Sequence, residues 1–149
     1  MSHTNNIGYM LHHLSFVLAR QSDQVLQEQL GIGFSQFKIL MALQTGPSVQ
    51  QRQIADNLGQ TEASISRQIK LMHRQGLLIS IKNPQNKREH ITRASTKGER
   101  LTNKANEVLN AYHSPMFQHL NVKQQEQLQE ILAQMHDYAC VGTTHHLNK

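Results

Sequence analysis

The sequence is poor in cysteine, tryptophan and acidic residues. Its 149 residues include one cysteine, no tryptophan, and 10 Asp or Glu against 15 Lys or Arg, so the formal net charge is +5 at pH 7. The single cysteine, Cys140, cannot form an internal disulfide, which fits a reducing compartment, and no neighbouring cation favours its thiolate. No apolar run reaches membrane-spanning length and no signal-peptide pattern opens the chain, so we expect a cytoplasmic protein with no membrane partner.

The sequence also lacks the common motifs of enzymes. It contains no nucleophile elbow, no glycine-rich phosphate loop and no paired carboxylates, and its acids are scattered. Ten histidines raise the question of a metal site. Five of them could converge in a dimer but lack the local spacing of metal ligands: His12, His13, His113, His119 and His136. We interpret them as surface or capping residues and predict no enzyme activity, no metal and no cofactor.

What the chain does have is a concentration of basic residues in one segment. Ten of the 15 Lys and Arg residues lie between residues 67 and 104, where the only acids are Glu89 and Glu99. The ten are Arg67, Lys70, Arg74, Lys82, Lys87, Arg88, Arg93, Lys97, Arg100 and Lys104. One interpretation is an ordinary solvated surface, although such surfaces usually intersperse both signs. The other is a surface that follows nucleic-acid phosphates.

Apolar residues at helical spacing, with capping residues and glycines at the ends, predict four helices in the first half of the chain. The first is Ile7–Leu30, which ends before Gly31, and the second is capped by Ser35 and ends at Gly46-Pro47. The third begins with a capping box of Ser48 and Gln51 and ends at Leu58. The fourth is capped by Thr61 and ends near Gln75.

A hairpin and two further helices complete the predicted order. The strands are residues 77–82 and 89–92, and residues 83–87 between them are turn formers with a basic tip. A capping box of Thr96 and Glu99 starts the next helix, which Pro115 bends or ends. The last helix is capped by Asn121 with Gln124. The fold class is therefore mainly α with a small β-hairpin.

Residues 53–77 have the layout of a helix-turn-helix motif, with a tight turn at Gly59-Gln60 between two helices. In the second helix Ile65, Ile69 and Met72 share one face, and the opposite face is basic. Short side chains near its start permit close approach to a major groove, and donors beyond them reach bases or phosphates. The predicted DNA-binding residues are Ala63, Ser64, Ser66, Arg67, Lys70 and Arg74. The alternative is an ordinary amphipathic helix with a basic solvent face.

The hairpin tip directly after this helix has the composition of a wing that reaches a minor groove. Lys87 and Arg88 are the predicted contacts, since an arginine in a narrow minor groove responds to its negative potential. The alternative is a packing element with exposed lysines. The two features in this order favour binding to duplex DNA over either alternative.

These residues resemble those of the MarR family of winged helix-turn-helix transcriptional regulators. In the stretch NPQNKREHITRASTKGERL, Asn83, Pro84, Asn86 and Arg88 occupy the positions of the family's wing pattern Asp-Pro-x-Asp-x-Arg. The preceding IADNLGQTEASISRQIKLMHRQGLL is similar to the family's DNA-reading helices. The family's two wing acids help to orient the arginine by ion pairing. Asparagines stand in both places here, and a neutral acceptor forms weaker hydrogen bonds.

The resemblance implies one MarR-type domain over residues 1–149. Residues 35–93 would form the winged helix-turn-helix lobe, and residues 7–30 and 97–141 would be the N- and C-terminal dimerisation helices of a homodimer. Amphipathic helices at both ends of the chain, whose apolar stripes need a partner surface, support the same expectation. Such a dimer would bind a pseudo-palindromic operator in double-stranded DNA, with half-sites about 10 base pairs apart.

The resemblance also implies a repressor that releases DNA when a small-molecule effector binds. Candidate ligand-binding residues, between the dimer helices and the winged lobe, are His12, Phe16, Phe37, Met41 and Tyr112. The alternative is that these five side chains simply belong to the core. The main competing function for the whole chain is a nucleoid-type DNA-binding protein of low specificity.

Overall fold

The computed structural model describes residues 6–44, 50–87 and 90–141. In that part of the chain the elements are α1 (Ile7–Leu30), α2 (Phe34–Gln44), α3 (Gln51–Leu58), α4 (Glu62–Arg74), β1 (Leu78–Lys82), β2 (His90–Ala94), α5 (Thr96–Gln118) and α6 (Val122–His136). A π-helical turn, Asp137–Val141, follows α6. The predicted order and fold class, mainly α with one hairpin, are confirmed. Within the described residues, no helix combines the length and apolarity that a membrane span requires.

Local signals in the sequence account for the ends of α1 and α3. The side chain of Asn6 accepts a hydrogen bond of 3.0 Å from the backbone N–H of Tyr9 and so caps α1. Gly31 ends α1 at φ 67°, and Gly59 ends α3 at φ 62°. This left-handed backbone is unfavourable for residues with a Cβ, so a glycine stops each helix where it was predicted.

Three predicted helix starts are wrong in detail. Ser35 lies inside α2, because Asp23 Oδ1 accepts from the N–H of Phe34 at 2.9 Å and the helix begins there. Helix α3 begins at Gln51, where the Gln53 side chain accepts from the N–H of Gln50 at 3.1 Å; Ser48 lies outside the described residues. The cap of α5 is Ser95 rather than Thr96, since Ser95 Oγ accepts from the N–H of Gly98 at 3.0 Å.

Of the two alternatives predicted for Pro115, an end of the helix at this residue is wrong, because α5 continues to Gln118. Proline removes one backbone donor, and this one lies within a turn of the helix end. The caps of α4 and α6 are as predicted. Thr61 accepts from the N–H of Ser64 at 3.1 Å, and Asn121 accepts from the N–H of Gln124 at 2.9 Å.

The chain divides into two compact units, Met1–Asn110 and Ala111–Lys149. The first unit has a core to which α1, α2, α3, α4, β1 and the first half of α5 all contribute. Its largest fully buried side chains are Leu26, Ile39, Leu40, Ile54, Ile65, Met72 and Thr102. The hydroxyl of Thr102 donates to the carbonyl of Gly98 at 2.8 Å, so this buried polar group is satisfied.

Helix α5 begins in direct contact with the backbone that leads into β1. Gly98 is buried there, and a Cβ on it would overlap the carbonyl oxygen of Leu77. The same oxygen accepts from the N–H of Ser95 at 2.9 Å. The close approach of the two backbones therefore depends on the absence of a side chain at residue 98.

The second unit contains the end of α5 and all of α6. The Gln125 side chain donates to the carbonyls of Phe117 and Leu120, both at 3.0 Å, and joins the two helices across their turn. No residue of α6 is buried. Its exposed large apolar side chains are Val122, Ile131, Leu132 and Met135.

Candidate nucleic-acid interface

Helices α3 and α4 are joined by the short turn that the helix-turn-helix prediction requires. After Gly59, the N–H of Gln60 donates to the carbonyl of Ala55 at 2.9 Å, which closes the turn. Thr61 then caps α4, and Glu62 in its first turn complements the helix dipole. The start of α4 is thus held by the backbone of the turn and by its own cap.

Helix α4 has two distinct faces. Ile65, Ile69 and Met72 are at most 3% exposed and pack into the core. We call the opposite side the recognition face, with four exposed residues and two half-buried ones on its flanks. They are Ala63, Arg67, Lys70 and Arg74, with Ser64 and Ser66 at the flanks. The predicted division of the helix into two faces agrees with this burial.

The basic side chains of the recognition face form no ion pair within the described part of the chain. Arg67, Lys70 and Arg74 are exposed and form no ion pair with any residue in the described ranges. By contrast, Lys104 on α5 pairs with Glu107 at 3.0 Å. The three charges on α4 therefore remain available to an anionic partner.

Polar side chains that sequence reasoning missed connect α2 to α4. Ser35 Oγ accepts from Gln60 Nε2 at 2.8 Å and from Gln68 Nε2 at 3.3 Å. Gln36 Nε2 donates to Gln75 Oε1 at 3.2 Å. The sequence shows only that serine and glutamine are frequent, which does not identify the residues that hydrogen-bond to one another.

The C-terminal end of α4 is also held by the start of α5. Lys97 Nζ donates to the carbonyl of Gln75 at 2.8 Å, and Ser95 Oγ donates to the carbonyl of Gly76 at 2.6 Å. A cation at the C-terminal end of a helix complements its dipole. Lys97 is one of the ten basic residues between residues 67 and 104, but its ammonium group therefore binds the end of α4 within the fold.

The hairpin after α4 has the form of a wing. Strands β1 and β2 pair antiparallel from Leu78 with Ala94 to Lys82 with His90. In the turn, Asn83 Oδ1 accepts from the N–H of Gln85 at 3.0 Å, so this asparagine side chain stabilises the turn directly. Lys87 is exposed near the tip. Arg88, the other predicted wing contact, lies outside the described residues.

The five candidate ligand-binding residues lie in different environments. Phe37 is 7% exposed and belongs to the core. Met41 lines a cavity of about 630 Å³ between α2 and α3, and its sulfur accepts from the Asn106 side chain at 3.6 Å. The cavity is lined by Lys38, Met41, Ala42, Gln53, Asp56, Asn57 and Leu58. His12 and Phe16 are exposed on α1, and Tyr112 is exposed in the second unit.

The histidines and carboxylates of the described residues do not converge. No group of three or more His, Cys, Asp or Glu side chains in that part of the chain could hold a metal ion. His13 stacks on Tyr9 with ring centroids 6.0 Å apart, and His113 meets Tyr112 edge-on at 5.4 Å. The side chain of Cys140 lies outside the described residues.

Comparison with known proteins identifies the fold, and part of the chain matches a family model. Residues 30–89 match the model of the MarR family. Apo MarR from E. coli superimposes with a TM-score of 0.75 at 18% identity, covering 87% of this chain and 96% of that one. No curated protein sequence matches significantly.

Two ligand-bound structures have the same fold. CouR from Rhodococcus jostii, bound to p-coumaroyl-CoA, has a TM-score of 0.75 at 20% identity and covers 92% of this chain and 94% of its own. A MarR family protein of Mycobacterium tuberculosis, in complex with p-aminosalicylic acid, has a TM-score of 0.75 at 18% identity. It covers 87% of this chain and 98% of its own.

Proposed function

We propose that this chain is a member of the MarR family, whose model residues 30–89 match, and that it is a sequence-specific DNA-binding repressor that responds to a small ligand and catalyses no reaction. The observation that carries the proposal is the recognition face. Arg67, Lys70 and Arg74 project from the side of α4 opposite the core, with no ion pair to a described residue. A helix with this arrangement after a tight turn is suited to a major groove.

The proposed contacts differ in role along α4. Ala63 would permit close approach, Ser64 and Arg67 are assigned to base edges, and Ser66 lies on the flank; an arginine pairs bidentately with guanine. Lys70 and Arg74, further along the helix, are assigned to phosphates, which fix register without reading sequence. We assign Lys87 and Arg88 of the wing to the minor groove. The exposure of Lys87 supports this assignment.

We further propose a homodimer in which residues 7–30 and 97–141 supply the dimerisation helices and residues 35–93 form the DNA-binding lobe. Support comes from apolar side chains that face solvent in the single chain. On α1, Ile7, Leu14 and Phe16 are 72%, 47% and 65% exposed, and Ile7 and Leu14 line an apolar groove of about 550 Å³. Exposed apolar area of this kind is typical of an interface. Two lobes would then read half-sites about 10 base pairs apart.

A small-molecule effector is the proposed signal. The likeness to structures that hold p-coumaroyl-CoA and p-aminosalicylic acid supports a ligand of this kind. We retain His12, Phe16, Phe37, Met41 and Tyr112 as its candidate contacts. Among them, Met41 lines the open cavity between α2 and α3.

The proposal is tested by selecting bound duplexes from a random DNA pool with the full chain. We expect enrichment of a pseudo-palindrome. Gel-shift competition then compares the selected duplex with a random duplex of equal length at fixed ionic strength. A specific regulator binds the selected duplex at least about a thousandfold more tightly. Equal affinity for the two would refute the regulator and support a nucleoid-type protein.

A further inference from the structure

We infer that the first turn of α2 positions the recognition helix for base reading, with Ser35 and Gln36 as positioning residues. The inference rests on the proposed DNA-binding function and adds residues that do not themselves face the DNA. Both side chains belong to α2 but are hydrogen-bonded to α4 or to the residues that flank its two ends.

Ser35 holds the N-terminal half of the recognition helix. Its hydroxyl accepts from Gln60, just before α4, and from Gln68, in the middle of α4. Gln60 Oε1 in turn accepts from the hydroxyl of Ser64 at 3.4 Å. One hydroxyl on α2 therefore constrains the helix start, its centre and a residue of the recognition face.

Gln36 holds the opposite end. Its amide donates to the side chain of Gln75, the residue that caps the C-terminus of α4. Gln36 is 7% exposed, so its amide groups have little access to water as an alternative partner. Gln68 and Gln75 are about 10 Å apart along a helix of 1.5 Å rise per residue. Two anchors at this separation resist both tilt and rotation of α4.

The first turn of α2 is itself held in place by one hydrogen bond to α1 and one within the turn. Asp23 Oδ1 accepts from the N–H of Phe34, and Gln36 Oε1 accepts from the N–H of Gly33 at 3.3 Å. Burial of the apolar face of α4 in the shared core is not directional, whereas hydrogen bonds depend on distance and angle. The polar contacts therefore determine how α4 is rotated on the core.

Rotation of α4 affects base contacts more than phosphate contacts. A base edge offers donors and acceptors in a fixed pattern, so a small displacement of Arg67 or Ser64 breaks the match. Lysine and arginine reach phosphates through long flexible side chains and tolerate the same displacement. Loss of the anchors should therefore reduce specificity more than general affinity for DNA.

The test uses the full chain with Ser35→Ala and Gln36→Met. Ser35→Thr, which keeps the hydroxyl, and Gln44→Met, at the exposed end of the same helix, are the matched controls. Affinities are measured for the duplex selected by the wild-type protein and for a random duplex at fixed ionic strength. Thermal melting of each variant is followed by circular dichroism.

We expect Ser35→Ala and Gln36→Met to lower affinity for the selected duplex about tenfold and to leave the random duplex within about twofold. Both controls should keep the wild-type ratio. Equal losses on the two duplexes, or no loss on either, would overturn the positioning role. If Gln36→Met does not fold, the affinities of Ser35→Ala for the two duplexes decide the test. A wild-type protein that does not discriminate between the duplexes would instead refute the proposed function, and the positioning role with it.

Discussion

Replacing Gly98 with alanine should destabilise the first unit, because the added methyl group has no space. It would overlap the carbonyl oxygen of Leu77 and lie 3.2 Å from the carbonyl carbon of the same residue and 3.4 Å from Leu40 Cδ2. Two of these three atoms belong to the backbone and cannot rotate aside. The Leu77 oxygen is also held by the N–H of Ser95. Either this hydrogen bond lengthens or the start of α5 moves away from the core.

Two opposing effects set the size of the loss. Overpacking at a tight position lowers the free energy of unfolding by about 1–3 kcal/mol. We expect a value near the upper end of this range, because the added methyl group meets backbone atoms. The replacement of glycine by alanine within a helix otherwise raises the free energy of unfolding by about 0.5–1 kcal/mol. The net expectation for Gly98→Ala is a loss of about 2 kcal/mol. In a chain of this length that corresponds to a fall of about 8 °C in Tm.

The assay is thermal or urea unfolding followed by circular dichroism, at equal protein concentrations. Gly8→Ala is the matched control, because residue 8 lies in α1 and, among the described residues, a Cβ there meets Asn6 Oδ1 alone, at 3.4 Å. That variant should be as stable as the wild type or slightly more so. If Gly98→Ala behaved like Gly8→Ala, the contact between α5 and Leu77 would be looser than described and the reasoning would be wrong.

Three further predictions follow from the DNA face, the apolar faces and a helix cap. Arg67→Ala should weaken binding to the selected duplex by about 1–3 kcal/mol and relax its sequence preference, while Arg88→Ala should weaken selected and random duplexes alike; if gel shifts at fixed ionic strength change for neither, the assigned face is wrong. The wild-type chain should sediment as a dimer at micromolar concentration and Leu14→Asp as a monomer, and a monomeric wild type would contradict the proposed interface. Asp23→Ala should lower the free energy of unfolding by about 1 kcal/mol, because the N–H of Phe34 loses its acceptor; an unchanged urea midpoint would show that the cap contributes nothing.

The element order and the faces of α4 could be predicted because their causes are local. The ends of α1 depend on Asn6 and Gly31, which adjoin the helix in sequence. The burial of Ile65 and Ile69 follows from their spacing, which places them on one side of α4 whatever that side contacts. These features require no knowledge of distant residues.

Features that depend on distant residues could not be predicted. The acceptor that begins α2 is Asp23, 11 residues before Phe34, and the partner of Ser35 on α4 is 33 residues away. No local pattern identifies such pairs. Apolar periodicity also does not separate a core side chain from a cavity lining. Phe37 and Met41 looked alike in the sequence, yet one is in the core and the other lines a cavity.

The asparagine in the wing turn has a consequence for the thermodynamics of DNA binding. Asn83 stabilises the turn by accepting a backbone hydrogen bond with a neutral amide oxygen. A carboxylate in its place would be weakened by added electrolyte and would bind a proton at low pH, whereas the amide does neither. Changes in ionic strength therefore leave this contact of the wing intact. The slope of binding affinity against salt concentration should then report chiefly the counterions that basic side chains release from the phosphates.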